Sequence, residues 1–376
     1  MTALSHTRRI LGLSMIAVGL FAQPRPVAAQ ENTAPADLPQ VQNAQMRSQP
    51  ATGSLEATIA EISGHADKPL WMAYQVDALP GHHSACCDNY SDGDHFCGVC
   101  RLEKSGSSIT TDSGDSRRTV RLEQGAQLVV LLRAEAKHIN KIRVASQDCT
   151  LGAGSLPFIW ITGARGPDSV AMLSKYVTSA AFSEDDHNHL ANGALTAIAL
   201  HGDPAADRAM ESFIAPSQDE RLRKQAAFWL GSARGKGGLA LLERMAKSDP
   251  SSEVRAHVAF AYQCSKEPQA VDDMIHMAHD DQSPHVRGQA LFWLAQKAGQ
   301  KAAGTIQGAI DSDPDTEVKK KAVFALSQLP KDEGVPKLIE VAETNRNPEV
   351  RKQAMFWLGQ SHDPRALDFF EKILRR

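Results

Sequence analysis

One helical segment recurs every 32 residues through the second half of this chain, and a period of that length leaves few folds open. The segment Leu222-Arg223-Lys224-Gln225-Ala226-Ala227-Phe228-Trp229-Leu230 sets the pattern. It returns at Val254, Val286, Val318 and Val350, and a degenerate earlier copy begins at Leu190. Counted from these anchors, offset 0 holds Leu or Val, offset 4 holds Ala (once Val258), and offset 8 holds Leu, Ile or Tyr. Residues four apart share one face of a helix, so these positions form a narrow core stripe. A second helix follows. Met210, Leu242, Met274, Ile306, Leu338 and Phe370 stand at offset 20, and Ile214, Ala246, Ala278, Ile310, Ala342 and Leu374 at offset 24. The pairs Asp249-Pro250, Ser283-Pro284, Asp313-Pro314 and Asn347-Pro348 between units combine a capping side chain with a proline that suits a first helical turn. Each unit is therefore expected to be a helical hairpin that buries its faces only by stacking on its neighbours. The predicted fold is an α-solenoid of about six hairpins over residues 167–376, preceded by a small mainly-β domain.

A polar row runs through the repeats. Six residues before the basic residue at offset 1 lies a short polar one: Asp249 before Arg255, Asp281 before Arg287, Asp313 before Lys319 and Asn345 before Arg351. This spacing resembles the Asp and Arg ladder of HEAT repeats, and the short units are most similar to the HEAT-like repeats of the phycobilisome-lyase type. The resemblance covers about residues 168–376. It implies that the ladder ties successive units together by hydrogen bonds and is not a ligand site. The copy at Leu190 departs from the pattern with Ala191 at offset 1, although Asp185 remains, as an atypical terminal unit would.

Two aromatic rows complete the repeat. Trp229, Trp293 and Trp357 are 64 residues apart, with Ala197, Ala261 and Ala325 at the intervening offset-7 positions, which predicts large and small units packing alternately. Phe228, Phe260, Phe292, Phe324 and Phe356 all sit at offset 6. At about 100° per residue that offset lies roughly 240° around the helix, away from a core stripe centred near 40°. Lys224, Lys320 and Lys352 flank the row at offset 2. These five phenylalanines are the candidate partner-binding residues, because an apolar surface row of that length on a globular protein normally marks an interface. The last helix adds Phe369 at offset 19 with no polar cap after it, which points to a homodimer contact or a docking surface in the C-terminal repeat.

The start of the chain reads as an export signal over residues 1–29: Arg8-Arg9, an apolar run from Ile10 to Ala22, and small residues at Ala28-Ala29. Residues 30–53, with Pro35, Pro39 and Pro50 and few bulky apolar groups, read as a disordered linker. Over residues 54–166 the period turns to two. Leu70 to Leu79, Thr119 to Glu123, Gln127 to Arg133, Ile142 to Val144 and Pro157 to Ile161 are predicted strands of an antiparallel β domain, with Gly125 and Asn140 as turn formers. At Pro167-Asp168-Ser169 the period becomes helical.

Five cysteines fall in the β domain, Cys86, Cys87, Cys97, Cys100 and Cys149, and in an exported chain these are disulfide candidates, with one left over. Cys97 and Cys100 with His82, His83 and His95 have ligands of zinc type, but no second pair completes a four-ligand site. Asp88, Asp92 and Asp94 fail the calcium-loop pattern at Tyr90 and Val99. No catalytic motif appears, and neither metal nor cofactor is expected. Beyond residue 29 the chain has 38 of its 41 basic residues against 44 acidic ones, a charge of −6 that argues against nucleic acid as partner. No later segment is apolar enough to cross a membrane. The resulting expectation is a periplasmic or secreted, non-enzymatic scaffold that binds a protein or peptide through its repeats. The competing class is a lyase-like, thiol-dependent or metal-dependent protein with its site in the β domain.

Overall fold

The computed structural model describes residues 39–81, 83–87, 89–92, 99–103, 127–183 and 189–375. The signal-like residues 1–29, Thr119 to Glu123 and Gly125 lie outside them. The β region comprises β1 (Val41–Gln42), β2 (Gln45–Pro50), α1 (Leu55–Gly64), β3 (Leu70–Asp77), β4 (His83–Cys87), β5 (Asn89–Asp92), β6 (Val99–Arg101), β7 (Gln127–Glu135), β8 (His138–Ser146), β9 (Thr150–Gly152) and β10 (Pro157–Thr162). Seven of its strands form one sheet in the order β2-β10-β3-β7-β8-β4-β5, and β1, β9 and β6 form a small parallel sheet.

Four expectations for this region are corrected. The large sheet is mixed: β10 runs parallel to both β2 and β3, while the hairpin-linked strands are antiparallel. Part of the stretch read as a linker is strand β2, paired over its whole length with β10. Its side chains are mostly exposed, so the strand is held by main-chain hydrogen bonds at a sheet edge and leaves no apolar pattern in the sequence. Residues 55–64 form a helix, capped where the Ser54 hydroxyl accepts the Ala57 N–H and burying Leu55, Thr58, Ile59 and Ile62 at helical spacing. Asn140 lies inside β8. The β7–β8 turn is made by Ala136 and Lys137, both left-handed (φ 50° and 67°), the geometry a two-residue hairpin needs.

The apolar run in β7 reflects a sheet covered on both faces. Met72, Tyr74, Val130, Leu132, Ile142 and Ile161 join the core beneath the helices, while Trp71, Leu131 and Phe158 are buried outside that cluster. The small sheet is tied to the large one by the Cys87–Cys100 disulfide and by Arg143 of β8, whose Nη1 donates to the Arg101 and Leu102 carbonyls at 3.0 and 3.1 Å.

After α2 (Gly166–Ser174) and α3 (Ser179–Ser183), twelve helices form six hairpins. They are α4 (His189–Leu200) with α5 (Pro204–Phe213), α6 (Glu220–Ala233) with α7 (Gly235–Ser248), and α8 (Ser252–Cys264) with α9 (Gln269–Asp280). Then follow α10 (Pro284–Ala298) with α11 (Ala303–Ser312), α12 (Thr316–Ser327) with α13 (Lys331–Thr344), and α14 (Pro348–Gln360) with α15 (Pro364–Leu374). No helix among the described residues is long and apolar enough to cross a membrane.

Sheet and solenoid share one core, which runs without interruption from Leu55 to Phe369. Helix α4 lies on β8, and the Leu79 and Gly202 N–H groups donate to the Leu200 and Asp77 carbonyls. Ser169, at the point where the sequence turns helical, is fully buried; its hydroxyl joins the Tyr74 hydroxyl (2.7 Å) and His201 Nε2 (2.8 Å). Burial lowers the His201 pKa to about 4, so the ring is neutral in the folded protein. Its ordinary value is 6.5, so the unfolded chain takes up the proton first as pH falls. Stability contributed by His201 is whole above pH 6.5 and is lost down to about pH 4. Thermal midpoints are expected to fall between pH 7.5 and 5, with a smaller fall for His201→Asn; equal falls would reject the assignment.

Candidate aromatic interface

The offset-6 phenylalanines and offset-7 tryptophans of helices α6, α8, α10, α12 and α14 form one unbroken chain of rings. Trp229 meets Phe228 (5.2 Å between centroids), Phe228 stacks on Phe260 (6.0 Å, planes 13° apart), and Phe260 touches Trp293 (4.9 Å). Trp293 meets Phe292 (4.8 Å), Phe292 stacks on Phe324 (5.6 Å, 7°), and Trp357 bridges Phe324 and Phe356 (4.8 and 5.0 Å). This geometry explains the 64-residue period. Where offset 7 is Ala261 or Ala325, neighbouring phenylalanines stack directly. Where it is Trp293 or Trp357, the indole wedges between the phenylalanine before it and the one beside it. Aromatic pairs at such distances contribute roughly 0.5–1.5 kcal/mol each beyond their buried area.

The Phe row therefore has a structural duty that the helical wheel did not show. Phe228, Phe260, Phe292 and Phe324 are half-buried, and each stacks on a neighbouring phenylalanine. Phe356, on the last hairpin, is 54% exposed. Phe369, offered as an extra surface aromatic, is buried at 4%, while Leu367 and Leu374 of the same helix are exposed at 62% and 86%.

The polar row also takes a definite form. Arg255 Nη1 donates to the Asp249 carbonyl six residues back, while its Nε and Nη2 donate to the carboxylate of Asp281 in the next hairpin. Arg287 treats the Asp281 carbonyl and the Asp313 carboxylate in the same way, and its charge holds the Arg255-like pattern over a second junction. Burial pushes the Asp313 carboxyl upward, but the hydrogen bonds from Arg287 and the Asp315 N–H outweigh it and leave it below its ordinary value. A further rung, Arg223 with Asp249, is the most buried, with side chains 4% and 2% exposed. Lys319 and Asn345 break the series: Lys319 Nζ donates to the Asp311 carbonyl, and Arg351 Nη1 to the Asn345 carbonyl. Sequence reading missed Arg234, a buried arginine that joins the first two hairpins at the other end of their first helices. It is ion-paired with Asp207 and donates to the Ala199 and His201 carbonyls.

On the second helices a recess of about 580 Å³ is lined by Glu243, Lys247, Tyr262, Asp273, His276 and Asp280, among others. Burial raises the carboxyl of Asp273 above its ordinary value. In the β region Cys87 pairs with Cys100, and Cys86 and Cys149 are disulfide-bonded as well. Cys97, His82, His95, Asp88 and Asp94 lie outside the described residues. Among the described residues, no three His, Cys, Asp or Glu side chains are grouped to hold a metal, and Cys264 is the free cysteine, its thiol pushed up by burial.

These features define a class, an α-solenoid of stacked hairpins capped at its N-terminal end by a β-sheet. Residues 210–295, 271–346 and 302–376 match the family model for HEAT repeats, so HEAT repeats span residues 210–376. Among solved structures, the complex of CpcE and CpcF of phycocyanin lyase from Nostoc sp. PCC7120 is similar at 22% identity and a TM-score of 0.32, over 41% of this chain and 99% of that one. Human deoxyhypusine hydroxylase in complex with glycerol is similar at 15% identity and a TM-score of 0.29, over 55% and 90%. Kap121p, seen bound to Pho4p, is similar at 14% identity and a TM-score of 0.30, over 52% and 25%. None of these likenesses carries an activity over to this chain. No curated protein matches it.

Proposed function

We propose that this chain acts outside the cytoplasm as a non-enzymatic scaffold that captures a protein partner along its aromatic ridge. The observation that carries the reading is the unbroken chain of rings ending in Phe356, more than half exposed. Sugars and nucleobases dock on free ring faces, whereas here most rings are packed against a neighbouring ring. The apolar surface that is left suits the aliphatic and aromatic side chains of a protein surface. Export is supported by the Arg8-Arg9 and apolar-run pattern and by disulfide-bonded cysteines, which persist in oxidising compartments.

Affinity capture from the cell-envelope fraction tests the proposal. Proteins retained by the native chain are expected to be lost with Phe356→Ser while helicity and the thermal midpoint stay unchanged. Phe260→Ser, whose ring touches Phe228, His257 and Trp293, is expected to lose about 2 kcal/mol of stability as well. An unchanged set of captured proteins with Phe356→Ser would reject the ridge as the interface.

A further inference from the structure

The third hairpin departs from the repeat at two positions, and both line one recess. Offset 8, a core position, holds Ile198, Leu230, Leu294, Leu326 and Leu358 in the other hairpins but Tyr262 in α8. Offset 19 holds Ala209, Leu241, Thr305, Lys337 and Phe369 in the others but Asp273 in α9. Tyr262 and Asp273 meet at the wall of the recess of about 580 Å³ bounded by α7, α8 and α9.

The Tyr262 side chain is 0% exposed, yet its hydroxyl has no hydrogen-bond partner among the described residues. The comparably buried hydroxyl of Tyr74 is answered by Ser169. A leucine would fill the same core position without a polar group, so the hydroxyl costs free energy unless something in the recess meets it.

The charges around the recess leave an excess of anion. Asp249 is paired with Arg223, Asp281 with Arg255, and Asp280 with His276 and His279. Glu243 and Asp273 have no ion-pair partner among the described residues, and Asp273 accepts one amide, from Gln269 at 3.3 Å. Lys247, on the same wall, is exposed and pairs with neither. Burial raises the Asp273 carboxyl and the Glu243 charge adds to the rise, so the two acids destabilise each other while no cation lies between them. Among the described residues no three Asp, Glu, His or Cys side chains are grouped to hold a metal ion. An ammonium makes a different demand, for a few acceptors around three N–H donors, and a phenol oxygen with two carboxylates supplies them.

We propose that the recess binds a primary alkylammonium, which donates to the Tyr262 hydroxyl oxygen and lies between the Glu243 and Asp273 carboxylates. The site is built mainly on second helices and does not depend on the aromatic ridge of the first.

Titration calorimetry of the full chain at low salt tests it with 1,4-diaminobutane, using 1,4-butanediol as the neutral counterpart and calcium chloride as the metal alternative. The diamine is expected to bind with a dissociation constant on the order of 1 mM, weakening as salt rises, while the diol and calcium ions do not bind. Asp273→Asn is expected to weaken the diamine at least about tenfold and Tyr262→Phe about threefold. Both substitutions keep the shape of the side chain, and circular dichroism checks that helicity is unchanged. Lys247→Ala, an exposed change that leaves the core alone, is expected to tighten binding about threefold by removing a competing positive charge. Nα-acetyl-lysine amide separates the sources of the ammonium: affinity equal to the diamine's assigns it to a lysine of a protein partner, and weaker affinity to a small free amine, either result supporting the site. No binding of the diamine, equal binding of the diol, tighter binding of calcium, or full affinity in Asp273→Asn overturns the proposal.

Discussion

Asp249→Ala is expected to destabilise the solenoid by about 3–5 kcal/mol, more than the same change at any other rung. Its carboxylate faces Arg223 in the most buried pair of the ladder, and its Oδ1 also accepts the Ser251 N–H at the turn into α8. Removing it strands a guanidinium that is 4% exposed, and the charge left behind costs more than the pair itself contributed. Asp281→Ala leaves Arg255, which is 16% exposed and can reach water, so its cost is expected to be about half as large. Asn345→Ala removes no charge and is expected to cost least. Chemical unfolding followed by circular dichroism reads the order. A solenoid of repeats need not unfold in two states, so midpoints are compared and extrapolated energies are not. Equal midpoints for the Asp249 and Asn345 variants would show that the ladder is ornament rather than tie.

The second large effect is expected at Gly193. A Cβ built there would stand 2.1 Å from the Ile142 carbonyl oxygen, a contact with main chain that no rotamer change relieves. Gly193→Val must therefore lift α4 from β8, and a loss of about 3 kcal/mol is expected. The damage should be local in character. Hydrogen exchange is expected to quicken in α4 and β8 while α10 to α15 keep their protection, because each hairpin contacts chiefly its neighbours. Uniform loss of protection, or none, would contradict the role assigned to this junction. Nothing in the repeat pattern singles out Gly193; the structure makes it the place where a helix backbone touches a sheet.

Much of the helical array was legible because its signals are local. Leu222, Ala226 and Leu230 mark a core stripe through backbone geometry alone, and Asn347-Pro348 marks a hairpin junction through capping chemistry. The β region was legible where strands are apolar, as at Leu70 and Gln127, and illegible at β2, whose exposed side chains leave only main-chain bonding to define it. Helix α1 was missed because ten residues with Thr58 and Ile59 among them offer a weak helical pattern beside strong strands. The candidate site was legible as a list of five phenylalanines and not as a geometry.

What the sequence determined by itself is the stack of hairpins and the recurrence of aromatic and charged rows, since a fixed period carries each residue type to the same place on every helix. Only the tertiary structure decided which neighbours those rows meet. The rotation from one hairpin to the next turns Phe228 onto Phe260 but sets Trp293 between Phe260 and Phe292, and it directs Arg255 to the carboxylate of Asp281 while leaving Asp249 to Arg223. That rotation is the summed outcome of packing between whole helices, and no residue encodes it alone.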